Sequence, residues 1–165
     1  MTAISTTLVG DPNAVPRPAH RVAFLHGLFG RGRNFGMIAA GLAPEALSLL
    51  VDLPNHGSSA WTECFDYAEI ADAVATELRR DFAAGGPVDV VGHSMGGKVA
   101  MVLALRHPDL VRRLVVLDIS PIDSRSSRGG FQHLLDSLVG VDLARVERRS
   151  DAEEALLEKI PEAGV

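Results

Sequence analysis

Apolar residues along this chain gather in short runs, Val22-Ala23-Phe24-Leu25, Leu47-Ser48-Leu49-Leu50-Val51, Val88-Asp89-Val90-Val91 and Leu114-Val115-Val116-Leu117, each closed by His, Asp or Gly. Runs of this length, mainly apolar and sharply ended, predict buried parallel strands. Between them the apolar spacing becomes helical. It covers Asn34 to Leu42, then Tyr67, Ile70, Ala71, Val74, Leu78 and Phe82 on one face, then Met95 to Arg106, which Pro108 stops. Alternating strands and helices imply an α/β class protein with a doubly wound, mainly parallel sheet and flanking helices. In such a sheet the functional residues gather beyond the carboxyl ends of the strands.

The flanks differ from this core. Residues 1–19 form an amino-terminal segment with at most one short strand, ending in the proline-punctuated Asp11-Pro12-Asn13-Ala14-Val15-Pro16-Arg17-Pro18. The α/β core is expected over 20–123. After Pro121 the chain turns polar, Asp123-Ser124-Arg125-Ser126-Ser127-Arg128-Gly129-Gly130. Residues 124–165 then offer two charged, weakly amphipathic helices, of which Asp151 to Ile160 reads as a solvent-facing helix or cap element rather than a partner site. No repeat or low-complexity tract interrupts the pattern.

Composition narrows the function classes. A length of 165 residues with 47% apolar content suits one globular core. The formal net charge of −5, without a concentrated basic patch, argues against nucleic acid or an anionic membrane surface as the main partner and leaves small-molecule chemistry. Cys64 is the single cysteine, so neither an internal disulfide nor a multi-cysteine metal site can form within one chain. The opening residues lack a signal-peptide pattern and no apolar run is long enough to span a bilayer. A cytoplasmic protein without metal or cofactor is the resulting expectation.

The most chemical segment is Gly92-His93-Ser94-Met95-Gly96, between a predicted strand and a predicted helix. This is the setting of a nucleophile elbow, in which flanking glycines relieve crowding around a serine lifted clear of the sheet. A plain strand-to-helix turn would explain the glycines but not the serine between them. At the helix start, unpaired N–H groups and the positive end of the dipole favour a developing oxyanion. His26-Gly27-Leu28-Phe29-Gly30 leaves the first core strand, so the Leu28 N–H can join that of Met95 in a two-donor oxyanion hole. The competing reading there is a tight turn and nothing more.

Other polar residues are weighed against structural roles. Asp52-Leu53-Pro54-Asn55-His56-Gly57-Ser58-Ser59 is rich in turn formers, and His56 reads as a loop anchor rather than a base. His93 is expected to point away from Ser94 along the elbow, as a packing or hydrogen-bonding residue, and His26 is similar. His20 and His107 fit solvated or capping roles at a strand entry and a helix end. Asp118, closing the run Leu114 to Leu117, is the candidate acid, although a buried aspartate there could equally cap the following turn. Asp123 is the weaker alternative, and only His133 follows Ser94 and the acid in the chain.

Taken in order, His26-Gly27-Leu28-Phe29-Gly30, Asp52 through Asn55-His56-Gly57, Gly92-His93-Ser94-Met95-Gly96-Gly97-Lys98 and Leu117-Asp118-Ile119-Ser120-Pro121 resemble the α/β-hydrolase superfamily. Within it they are most similar to small esterases of the YbfF type and the abhydrolase-11 group. The resemblance implies Ser94 as nucleophile, Leu28 and Met95 as backbone donors, Asp118 as acid and a helical cap beginning after Pro121. It also implies a base histidine near the end of the family's domain, for which no position here is a match, so the chain reads as the amino-terminal part of that domain. The expected activity is a serine carboxylesterase or thioesterase acting on small acyl esters or thioesters through an acyl-enzyme. A non-hydrolytic lyase or acyltransferase is the alternative within the fold, and an inactive fragment or binding protein with an open strand edge is the alternative outside it.

Overall fold

A computed structural model describes residues 2–13, 20–43, 45–122, 128–157 and 159–160. Asp123, the polar residues that follow it to 127, and the proline stretch from residue 14 to 19 lie outside the described residues. The chain divides into two compact units, Met1–Pro121 and Ile122–Val165.

The first unit is built on one sheet. Its strands are β1 (Ser5–Val9), β2 (His20–Leu25), β3 (Ala46–Asp52), β4 (Val88–His93) and β5 (Val111–Leu117), in the order β1-β3-β2-β4-β5. β1 runs antiparallel to β3, with Ser5 opposite Asp52, and the other pairings are parallel. The sheet is therefore mixed but mainly parallel, and β2, β3, β4 and β5 all end on the same side. That side carries the segments that open at His26, Asp52, Ser94 and Asp118.

Side chains alternate across the strands as the period of two requires. Ala23, Leu25, Leu49, Val51, Val88 and Val90 enter one apolar cluster with Ile70, Val74 and Leu78 of α2 (Tyr67–Arg80) and Val99 and Leu103 of α3 (Met95–Arg106). Val22, Phe24 and Leu50 enter a smaller cluster with Phe35 and with Ala39 of α1 (Gly36–Leu42). Asp66 starts α2 by accepting the N–H groups of Ala68 (2.7 Å) and Glu69 (3.0 Å), the N-cap arrangement.

Three expectations need correction. The helix expected from Asn34 opens as a 3-10 turn over Gly32–Phe35 before α1, and Phe82 is buried although it lies past the end of α2. More consequentially, β5 is not a buried strand. Leu114, Val115 and Leu117 are 37, 45 and 39% exposed. Among the described residues of this unit β5 pairs with β4 alone and α3 covers just one of its faces, where Val116 lies under Gly97. Sequence hydrophobicity reports a strand's preference for burial, not whether a neighbour supplies it.

The second unit holds α4 (Arg128–Val139), a 3-10 turn over Leu143–Arg145 and α5 (Arg149–Leu157). Ser137 Oγ donates to the His133 carbonyl (2.7 Å), and Lys159 Nζ donates to the carbonyl of Gly140 (2.9 Å) beyond the end of α4.

Candidate active site

Ser94 sits between β4 and α3 with φ 50° and ψ −114°, a combination that L residues rarely adopt and that persists only where the surroundings over-determine it. Those surroundings are specific. A Cβ on Gly92 would strike the backbone of Gly96, with the Gly97 Cα at 2.7 Å, and a Cβ on Gly96 would strike the carbonyl of Leu25 and lie 2.5 Å from that of His26. The two glycines thus allow α3 to start directly against β4 and the end of β2. The Ser94 N–H donates to the Leu117 carbonyl of β5 (2.9 Å), and the Ser94 carbonyl accepts the Lys98 N–H (3.2 Å) as α3 begins. Its hydroxyl makes no capping bond to the helix.

The turn after β2 lies against this serine. A Cβ on Gly27 would come within 3.4 Å of Ser94 Cβ and 2.8 Å of His93 Nδ1. The turn is closed by the Gly30 N–H on the Gly27 carbonyl (3.0 Å), and Phe29 takes a left-handed φ of 58° within it. His26, only 1% exposed, holds the turn from beneath. Its Nε2 accepts the Leu53 N–H (3.0 Å), and that acceptor role leaves the ring proton on Nδ1, which donates to the Gly27 carbonyl (2.8 Å). Burial lowers the His26 pKa, with the nearby His56 adding to the effect, while the Gly27 bond and Asp52 oppose it.

The loop after β3 is organised by Asp52. Its carboxylate accepts the Gly32 N–H (2.8 Å) and the Ser58 N–H (2.9 Å), and its carbonyl accepts Ser59 Oγ (2.6 Å). A side chain on Gly57, where φ is +57°, would run into that carboxylate. His56 Nδ1 meets the Pro54 carbonyl (2.9 Å), the anchoring role expected of it.

Asp118 lies at the carboxyl end of β5, beside the elbow strand, in a left-handed backbone of φ 56°. Its side chain is 84% exposed rather than buried, so a buried cap on the following turn is not what it forms. One carboxylate oxygen lies 3.6 Å from Nε2 of His93, whose ring is 45% exposed. The sequence reading of His93 as a hydrogen-bonding residue missed this partner, because the pairing crosses from β4 to β5.

No described histidine is hydrogen-bonded to the Ser94 hydroxyl. His20 meets Arg112 (2.9 Å), His107 meets Asp72 (2.7 Å), and His133 in the second unit meets the Lys159 carbonyl (3.1 Å). His26, His56 and His93 have the partners given above. Also missed by sequence reasoning was the role of Asp52 as a loop anchor, while His26, expected as a packing or hydrogen-bonding residue, is one with two main-chain partners. The available signal was a polar residue at each strand end followed within five residues by Gly. Among the described residues no three His, Cys, Asp or Glu side chains group as a metal site, and no helix is long and apolar enough to cross a membrane.

Comparison with known proteins places this geometry. The sequence profile described as "alpha/beta hydrolase fold" matches residues 21–157. The mouse "sn-1-specific diacylglycerol lipase ABHD11" is 36% identical over 151 residues, covering 87% of this chain and 48% of that protein. "Ethanol acetyltransferase 1" of Wickerhamomyces ciferrii is 30% identical over 163 residues, covering 94% of this chain and 41% of that protein. Among solved structures, a "Marine microorganism esterase" superposes with a TM-score of 0.81 at 27% identity, covering 98% of this chain and 60% of the other. The chain spans about half the length of the curated relatives it matches.

Proposed function

Because the chain belongs to the α/β-hydrolase fold family, we propose that it carries the nucleophile and oxyanion-binding parts of a serine acyl-transfer site. Ser94 Oγ attacks the carbonyl carbon of a small ester or thioester, the bond to the leaving alcohol or thiol breaks, the serine hydroxyl proton ends on that leaving group, and the acyl group is left on Ser94. The N–H groups of Leu28 and Met95 receive the oxyanion, each donor of this kind being worth about 3 kcal/mol in the transition state. Asp118 is the acid that would orient an imidazole. The observation that carries the reading is the strained backbone of Ser94, held between Gly92 and Gly96 with its hydroxyl uncommitted to the helix. Water as acceptor of the acyl group makes the reaction an esterase or thioesterase. An alcohol as acceptor makes it an acyltransferase, and the similarity to a protein named ethanol acetyltransferase supports this second reading.

With no described histidine on the hydroxyl, general-base assistance is missing from this set of residues. In serine hydrolases stripped of a triad member, the oxyanion hole and binding still give roughly 10³–10⁴-fold acceleration over water. The chain is therefore expected to be acylated slowly by p-nitrophenyl acetate, whose phenolate needs no proton to leave, and to keep the acetyl group. Mass spectrometry of the peptide containing Ser94 is the test. Acetylation of that serine, absent in Ser94→Ala, is the expected result, and a wild-type chain that stays unmodified overturns the proposal.

A further inference from the structure

His26 is the one buried histidine of the first unit, and the chemistry above makes no use of it. It lies at the end of β2 and bridges two loops, accepting the Leu53 N–H at Nε2 and donating from Nδ1 to the Gly27 carbonyl. The same carbonyl also accepts the Gly30 N–H. Two donors on one side therefore fix the plane of the peptide between Gly27 and Leu28. Across a planar trans peptide the N–H is antiparallel to the C=O, so the Leu28 N–H is turned away from His26 and Gly30. We infer that His26 is a positioning residue, which aims the Leu28 amide at the oxyanion of an ester bound at Ser94 by holding the Gly27 carbonyl from behind. This rests on the acyl-transfer reading of Ser94.

The proximity of Gly27 to Ser94, where a Cβ would leave only 3.4 Å to the serine Cβ, brings that peptide to the nucleophile. The Leu53 N–H adds directionality. A main-chain donor cannot reverse its polarity, so it keeps Nε2 unprotonated and the single proton on Nδ1. Had the ring carried its proton on Nε2, Nδ1 and the Gly27 carbonyl would be two acceptors face to face. The turn would then hold only through the Gly30 bond.

The two hydrogen bonds can be separated by substitution. His26→Asn places an amide N–H near the position of Nδ1 and abandons Leu53, whereas His26→Gln places an amide oxygen near the position of Nε2 and abandons the Gly27 carbonyl. Each variant loses one buried bond, so a purely structural role predicts similar stability loss and similar loss of acylation. The positioning role predicts a split. With p-nitrophenyl acetate, His26→Gln should acetylate Ser94 roughly 10²–10³-fold more slowly than wild type, the cost of an oxyanion donor, while His26→Asn stays within about tenfold. Equal rates in the two variants overturn the inference. Long-range ¹⁵N NMR of the wild-type chain gives a readout independent of chemistry and of variant folding: His26 should show the Nδ1–H tautomer, and an Nε2–H tautomer overturns the inference. If wild-type Ser94 is not acetylated at all, the acyl-transfer proposal fails by itself. The His26 inference is then decided by its tautomer and by whether the Leu28 amide resonance moves in His26→Gln and not in His26→Asn.

Discussion

Gly96→Ala tests whether the elbow is held by backbone contact rather than by local turn propensity. Helix preference alone favours alanine over glycine by about 1 kcal/mol inside a helix. The structure predicts the opposite sign. The new methyl group would strike the Leu25 carbonyl oxygen and lie 2.6 Å from the Leu25 carbonyl carbon and 2.5 Å from the His26 oxygen. Comfortable carbon contacts begin near 3.5 Å, so α3 and the end of β2 must part by about 1 Å. Both obstacles are main chain, at the last residue of a strand paired on both sides and the residue that follows it, and neither can rotate away. Overpacking costs about 1–3 kcal/mol where side chains can adjust, and the upper end applies here. A loss of about 3 kcal/mol lowers Tm by roughly 6–12 °C in a chain of this size. Gly41→Ala is the internal control, since a methyl group there meets nothing within 4 Å. It should stabilise by about 0.5–1 kcal/mol. Urea and thermal unfolding followed by circular dichroism measure both. A Gly96→Ala variant within about 0.5 kcal/mol of wild type refutes the backbone-contact reasoning, whatever Gly41→Ala does.

The strain at Ser94 gives a second test. Glycine tolerates φ 50°, ψ −114° and alanine does not, so Ser94→Gly should be more stable than Ser94→Ala by about 1 kcal/mol after its larger unfolded-state entropy is counted. Equal stabilities in urea would mean that the backbone is not strained there. The pH dependence of stability should show two acid limbs. The folded pKa of His26 is lowered by burial, against the opposition of Asp52, so the unfolded chain binds its proton first. Stability is complete above about 6.5 and falls below it, with a slope of at most about 1.4 kcal/mol per pH unit. Asp72 is held at a pKa of about 2 by Arg106 and His107, so its contribution is present above 3.8 and disappears as pH falls toward 2. That ion pair is substantially exposed and screened by solvent, so this lower limb is shallow. Urea midpoints across pH, with Asp72→Asn flattening only the lower limb, check both signs.

What could be read from the sequence was what is local. The strand runs, the spacing of α2 and α3 and the Gly-x-Ser-x-Gly turn each lie within one element or one junction, where periodicity and glycine requirements speak directly. Four strands and three helices of the first unit follow from them, along with the position of Ser94. What the sequence concealed depends on partners far along the chain. Leu53 reaches His26 across 27 positions and Gly32 reaches Asp52 across 20, and a polar strand end followed by Gly marks a turn without indicating either distant partner. The same holds for His93, whose partner Asp118 is on the next strand. The exposure of β5 was concealed for the converse reason, since its apolar sequence states a requirement that the described residues of the first unit leave unmet.

These long-range bonds explain how a strained serine can persist on a small sheet. His26 ties the turn after β2 to the chain leaving β3, and Asp52 ties the end of β3 back to the turn before α1. Gly96 seats α3 on the end of β2. Strain at Ser94 is thereby opposed from the β2 side by contacts that are buried and mainly to backbone. From the β5 side it is opposed by the Leu117 carbonyl, on a strand that exposes Leu114, Val115 and Leu117. The two supports are unequal. Among the described residues of the first unit β5 is a half-covered edge, the kind of element that opens first, at a cost well below global unfolding. The backbone conformation of Ser94 thus depends on the integrity of β5 as well as on the buried contacts on the β2 side.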